Sequence, residues 1–283
     1  MADLNKAYKI INAALEQLKS KVGIIEPRFN DFIIDWVKKF DTSGGDLNRT
    51  EKNKDRLKTF RRAMERFLLE SGYNSMVTNF VRNFDELEAN QQAVQKSLSG
   101  LKITKDFLSP FTQWAIEKTI SEMQGQGLSL ALAGPLQDEL FTSIYQGGSL
   151  QDLLKSLDGK LNSTDERSGL MNRLITQAGR DALGQYNGVV NGAIRIKYKM
   201  DGIFYTGSLV RDSRPQCQRW TQEIETNGQL GLIPFVDIQA EIDWAYNNGT
   251  GMIPGTTPDN FERYRGGYNC RHDAYPVRLD SFN

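Results

Sequence analysis

The sequence predicts an α+β protein that is mainly α: a helical domain over residues 1–190, then a small C-terminal α+β module with a β-hairpin over 191–283. Three observations predict it. Apolar residues recur at three- and four-residue steps through the first two thirds of the chain. Near residue 194 the period changes to two. Beyond that point both cysteines and the only histidine gather among arginines, glycines and prolines.

In the first helix, expected over Asp3–Lys21, Leu4, Tyr8, Ile11, Leu15, Leu18 and Val22 form one stripe, which Gly23 ends. Pro27 suits the first turn of a second helix carrying Phe29, Phe32, Ile33, Trp36, Val37 and Phe40. Asp41–Asp46 has loop composition. A third helix is expected over Glu51–Glu70, with Leu57, Phe60, Met64, Phe67 and Leu68 inward. A fourth carries Met76, Val77, Phe80, Val81, Phe84 and Leu87 and continues toward Leu98. A further helix holds Phe107, Phe111, Trp114 and Ile120, with Pro110 near its start. The small-residue run Leu128–Gly134 is read as helix too. Ser149 begins one helix, and Ser163 with Glu166 has the spacing of a capping box before another, which reaches toward Val190. Within that last helix Gly179 and Gly184 either weaken the helix or permit a close neighbour.

From Ala193 on, Ile194, Ile196 and Tyr198 alternate with Arg195, Lys197 and Lys199, as a half-buried strand requires. Asp201-Gly202 reads as a hairpin turn and Ile203–Thr206 as the returning strand. One more helix is expected around Ile238–Ala245, followed by loops at Asn247–Gly251 and Pro254–Pro258.

Lys+Arg and Asp+Glu both total 35, so no net charge draws the chain onto nucleic acid. Two cysteines are too few for a disulfide-stapled secreted scaffold. The N-terminus lacks a signal-peptide layout, and no apolar run approaches the ~20 residues of a membrane helix. A protein of a reducing cytoplasm, with no membrane partner, is the expectation. The one local excess of charge is on the third helix: Arg49, Lys52, Lys54, Arg56, Lys58, Arg61, Arg62 and Arg66 against Glu51, Asp55 and Glu65. The plain reading is a solvated face; the sharper one is contact with DNA or an acidic partner through phosphate counterion release.

Two segments of the last third look built for each other. One is Gly207-Ser208-Leu209-Val210-Arg211-Asp212-Ser213-Arg214-Pro215-Gln216-Cys217; the other is Arg265-Gly266-Gly267-Tyr268-Asn269-Cys270-Arg271-His272, closing with Tyr275-Pro276-Val277. With the preceding Phe204-Tyr205-Thr206-Gly207-Ser208 and the intervening Ile242-Asp243-Trp244, this order resembles the C-terminal domain of tailed-phage minor head proteins. That group is typified by the F protein of phage Mu, and the resemblance covers Tyr198 to Val277. It implies a non-enzymatic, low-copy structural protein of head morphogenesis. Such a protein acts inside the capsid near the portal and meets portal or major capsid protein, and packaged DNA through non-specific contacts. It is made in the host cytoplasm and lies in the capsid interior of the virion, and in some phages it leaves with the DNA. The runner-up is an internal virion protein ejected with the DNA and acting as an effector in the host. Many relatives carry additional cysteines and histidines in these segments; here only Cys217, Cys270 and His272 are present.

Structural zinc takes four ligands, often with a Cys-x2–4-Cys pair. Three donors without such a pair lead to the expectation of no cofactor and two small buried thiols. Zinc, its shell completed by Asp212, is the alternative. A Cys217–Cys270 disulfide suits a released virion rather than cytoplasmic assembly. A thiol nucleophile activated by His272 would need the imidazole within hydrogen-bond reach; the expectation is instead that His272 donates to a backbone carbonyl. Glu223-Ile224-Glu225 has the Glu-x-Glu form of ADP-ribosyltransferases, without the companion strands such an enzyme needs. Asp212, with Arg214 or Arg271, is expected to lock the first segment onto the second.

Overall fold

The structure is a computed structural model of the chain. It describes residues 6–124, 126–162, 168–267 and 270–282, with backbone alone for 126–130. The mainly α, α+β class is as expected. The eight long helical elements are α1 (Lys6–Val37), α2 (Glu51–Glu70), α3 (Tyr73–Phe80), α4 (Asn83–Ser99), α5 (Lys105–Gln124), α6 (Gln126–Gln146), α7 (Leu150–Leu161) and α8 (Leu170–Tyr198). A two-residue hairpin, β1 (Thr42–Ser43) and β2 (Asp46–Leu47), lies between α1 and α2. Gly44 and Gly45 both have positive φ at its turn, as a tight hairpin with the strands' own twist demands.

Two expected breaks are absent. Gly23 does not end the first helix, because the stripe Leu15, Leu18, Val22, Ile25, Phe29, Ile33, Val37 keeps one buried face across it. Pro27 is accommodated inside α1; the carbonyl it leaves without a donor is that of Gly23, one turn earlier. The expected strand at 194–199 is instead the last turn of α8. Tyr186, Val190 and Ile194 are buried at four-residue steps, whereas Ile196 is 69% exposed, so the alternation there had no second face to bury. Asp201-Gly202 therefore turns no hairpin; Gly202 opens a strand whose partners come later. The fourth expected helix is two, α3 and α4, parted at Val81–Arg82. Ser149 caps α7 as expected, accepting from the amides of Gln151 and Asp152. The capping box at Ser163–Glu166 lies outside the described residues.

Two compact units emerge, and none of the four chain crossings between them falls at residue 190. One comprises Ala14–Val81 and Glu117–Gly179. Its core includes Phe29, Phe32 and Phe67, with ring centroids 5.1–5.7 Å apart across α1 and α2. The other comprises Met1–Ala13, Arg82–Ile116 and Arg180–Asn283. The carrier and module of the sequence reading thus share helices, because α8 continues past the expected boundary and supplies part of the second unit.

That second unit contains a three-stranded antiparallel sheet, β3 (Gly202–Thr206) flanked by β6 (Leu232–Pro234) and β7 (Asp273–Val277). A short pair, β4 (Glu225–Thr226) and β5 (Gln229–Leu230), precedes β6. Three helices belong to the same unit: α9 (Pro215–Gln222), α10 (Ile238–Asn248) and α11 (Phe261–Tyr264). Period-two alternation along β3 sorts its side chains. Ile203 and Tyr205 join Trp220, Ile238, Ile242 and Phe261 in one cluster, while Phe204 joins Val94, Leu232, Tyr275 and Val277 in another.

Candidate functional site

The two segments singled out in the sequence meet at Tyr205. Pro215 sits at the first position of α9, where its missing N–H costs nothing, and places Cys217 on the turn facing the sheet. Trp220, one turn on, packs edge-to-face on Tyr205 at 5.2 Å and donates its indole N–H to Glu241 Oε2 at 3.0 Å. Arg219 makes a forked pair with the same carboxylate, 2.9 Å from each nitrogen, and so fixes α9 to α10. On the other side, the loop after α11 returns to β7 through Gly266, Gly267, Cys270 and His272.

Tyr205 Oη lies 3.5 Å from Cys217 Sγ and 3.3 Å from Cys270 Sγ. The His272 ring stacks on Tyr205 at 5.3 Å, with Nδ1 3.8 Å from Cys270 Sγ. The sulfurs and a ring nitrogen of His272 all lie within 4.8 Å of one another, so these three residues could hold a metal ion. Zinc at ordinary bond lengths spaces its ligand atoms roughly 3.3–3.8 Å apart, a modest contraction from this arrangement. Asp212, expected to complete such a shell, lines the cleft beside it but is not among the close donors.

Gly266 explains how the loop comes so near. A Cβ there would stand 2.5 Å from Cys217 Sγ, 2.8 Å from Tyr205 Oη and 3.1 Å from Cys270 Sγ. Its carbonyl accepts from Arg214 Nη1 at 2.7 Å and from Gln216 Nε2 at 3.0 Å. The fully buried Gln216 also donates to the Thr250 carbonyl and accepts from the Thr250 amide.

The expected lock is therefore half as drawn. Arg214 reaches across to the second segment, but its acceptor is a backbone carbonyl rather than Asp212. Asp212 is exposed and makes no hydrogen bond or ion pair among the described residues. Gly267, at positive φ, backs onto the carbonyl of Gly251 and the Arg214 guanidinium; Asn269 lies outside the described residues. Among the described residues His272 donates to no backbone carbonyl; it is buried, and its Nε2 has no hydrogen-bond partner there.

The sulfurs share their protons unequally. The neighbouring Cys270 sulfur, together with burial, pushes the Cys217 thiol up. The Cys217 thiol, with His272 and Arg265 nearby, holds Cys270 well below the usual thiol range despite burial. Burial drives the Tyr205 hydroxyl well above its ordinary value, so it stays protonated between the two sulfurs.

A second buried layer backs the site. Arg265, at φ 48°, pairs with Asp273 at 3.3 Å, and Asn187 of α8 donates to the same oxygen at 3.4 Å. Burial raises the Asp273 carboxyl and Arg265 opposes that rise. Arg195 and Glu262 pair at 2.5 Å, both nearly inaccessible. Close approach permits this: a Cβ at Gly188 would strike the backbone of Glu262 and Arg263, and one at Gly184 would stand 2.9 Å from Arg265 Nη2. Sequence reasoning gave no individual role to Gln216, Arg265, Asp273 or Tyr205. Only Tyr205 left a signal, as the second inward position of a recognisable strand.

The remaining candidates lie elsewhere. Glu223 ends α9 and Glu225 begins β4, both exposed and neither lining the cleft at the thiols. On α2, Lys52, Lys54, Lys58 and Arg61 face Asp41, Glu51, Asp55 and Glu65 at 2.5–3.1 Å, as a solvated face does. Arg49, Arg62 and Arg66 are exposed, and Arg56 is half-buried with its Nε unpartnered. No helix among the described residues is long and apolar enough to cross a membrane.

Comparison with known proteins finds no matching family model, no matching curated protein and no matching solved structure.

Proposed function

We propose that this chain is a structural minor head protein of a tailed bacteriophage, held inside the capsid near the portal and contributing to head assembly. The observation that carries the reading is the closure of the two resemblance-bearing segments into one knob, with Gly266 seated on Cys217, Cys270 and Tyr205. Short motifs that arise by chance in a long chain have no reason to share one buried contact. The paired cations of α2 favour contact with portal or capsid protein over DNA at that face.

The donor set Cys217, Cys270 and His272 is soft and suits zinc, which would tie α9 to the loop preceding β7. A metal there supplies cross-linking in place of a disulfide, in keeping with assembly in a reducing cytoplasm.

Quantitative mass spectrometry of purified full and emptied particles tests the proposal. A few copies per particle, retained after DNA release, is the expected result. Loss on emptying would favour the ejected effector, and absence from full particles would refute both readings.

A further inference from the structure

Two groups of cations could meet an anionic partner, and their surroundings differ. On α2 four of the cations, Lys52, Lys54, Lys58 and Arg61, are paired with carboxylates on the same helix or the adjoining turn. Beside the thiols, a cleft of about 390 Å³ is lined by Arg211, Arg214 and Arg271, with Asp212 as the only acid among its lining residues. Its volume falls in the ~300–1,000 Å³ range of small-ligand sites. Arg211 and Arg271 are exposed and unpaired among the described residues.

The N-terminus of α9 opens on the same cleft, since Arg214 is its N-cap and no side chain caps it. Free amides at a helix start favour an anion. An independent observation points the same way. His272 lines the cleft, is only 4% exposed, and leaves Nε2 without a partner among the described residues. Nδ1 is the nitrogen turned toward Cys270, so a metal held through Nδ1 would leave Nε2 unbonded. A buried polar nitrogen left unpaired is costly, and a ligand oxygen would relieve it.

We propose that this cleft binds a phosphoryl group, with Arg211 and Arg271 as forked donors at its mouth and the α9 N-terminus and His272 Nε2 within. Guanidinium groups match the oxygens of phosphate in pairs. The group belongs either to a nucleic-acid backbone or to free phosphate, which present the same oxyanion. This assignment stands apart from the head-protein reading and survives its failure.

Calorimetric titration of the full-length protein with inorganic phosphate, and fluorescence anisotropy with a labelled single-stranded oligonucleotide, test it. Arg211→Ala/Arg271→Ala is compared with Arg62→Ala/Arg66→Ala on α2, all four positions being exposed and both variants checked by thermal melting. The cleft variant is expected to lose phosphate binding and at least tenfold of oligonucleotide affinity. Its salt dependence should be shallower by roughly 1.4, the slope of two single-strand contacts. The α2 variant should bind as wild type. Phosphate binding without oligonucleotide binding identifies the free anion as ligand; the converse identifies the nucleic-acid backbone. Failure of the wild type to bind either probe, or a cleft variant binding as wild type does, overturns the proposal.

Discussion

Substituting Gly266 by alanine probes the knob at its tightest point. The new methyl would stand 2.5 Å from Cys217 Sγ and 2.8 Å from Tyr205 Oη, neither of which is the loose end of an exposed side chain. Overpacking of this kind costs about 1–3 kcal/mol. Moving the loop to relieve it weakens the bonds from Arg214 and Gln216 to the Gly266 carbonyl, each worth about 1 kcal/mol or more. A total near 3 kcal/mol lowers the melting temperature by roughly 6–12 °C for a unit of this size. Gly159→Ala is the control, because among the described residues a Cβ there meets nothing within 4 Å on the exposed side of α7. It should be neutral or stabilising by up to about 1 kcal/mol. Removing the struck sulfur as well, in Gly266→Ala/Cys217→Ala, should show a favourable coupling of about 1 kcal/mol or more in a double-mutant cycle. Calorimetric melting of the wild type, Gly266→Ala, Cys217→Ala, their double variant and the Gly159→Ala control decides the matter. A Gly266→Ala protein melting with the wild type would refute the packing described here.

Arg214→Ala, which removes a charged donor from a half-buried carbonyl, should cost about 1.5–3 kcal/mol in urea unfolding, whereas exposed Asp212→Ala should stay within about 0.5 kcal/mol. Equal effects would mean that the lock was assigned to the wrong residue. Glu262→Ala leaves Arg195 charged in a site where it is only 9% exposed, so a loss of about 3–5 kcal/mol is expected on thermal or denaturant melting. A cost below about 1 kcal/mol would show that water reaches the pair.

What the sequence disclosed followed from how locally each feature was determined. Helix α2 was legible because its inward stripe of Leu57, Phe60, Met64 and Leu68 lies within one segment. The end of α8 was not, because Ile194, Ile196 and Tyr198 fit a strand locally and only the burial of Tyr186, Val190 and Ile194 decides for helix. Pro27 misled for the same reason: a proline that can start a helix also fits inside one when the long-range face of α1 requires continuity. At the candidate site, unusual residue types drew attention to Cys217, Cys270, His272 and the double glycine. Gln216 and Asp273 are common residue types, and their roles arise from partners 50 and 86 positions away. Asp212 was over-read, since its charge beside arginines in sequence says nothing about which acceptor those arginines reach.

Oxidation of the chelator-treated, full-length protein with diamide tests most directly whether the two thiol-bearing segments face each other. With the sulfurs within 4.8 Å, two thiols give one disulfide as diamide is reduced to the hydrazine. The predicted product is a monomer in which peptide mapping links Cys217 to Cys270, formed ahead of any intermolecular dimer. Free thiols at both positions, or only disulfides between chains, would contradict the account.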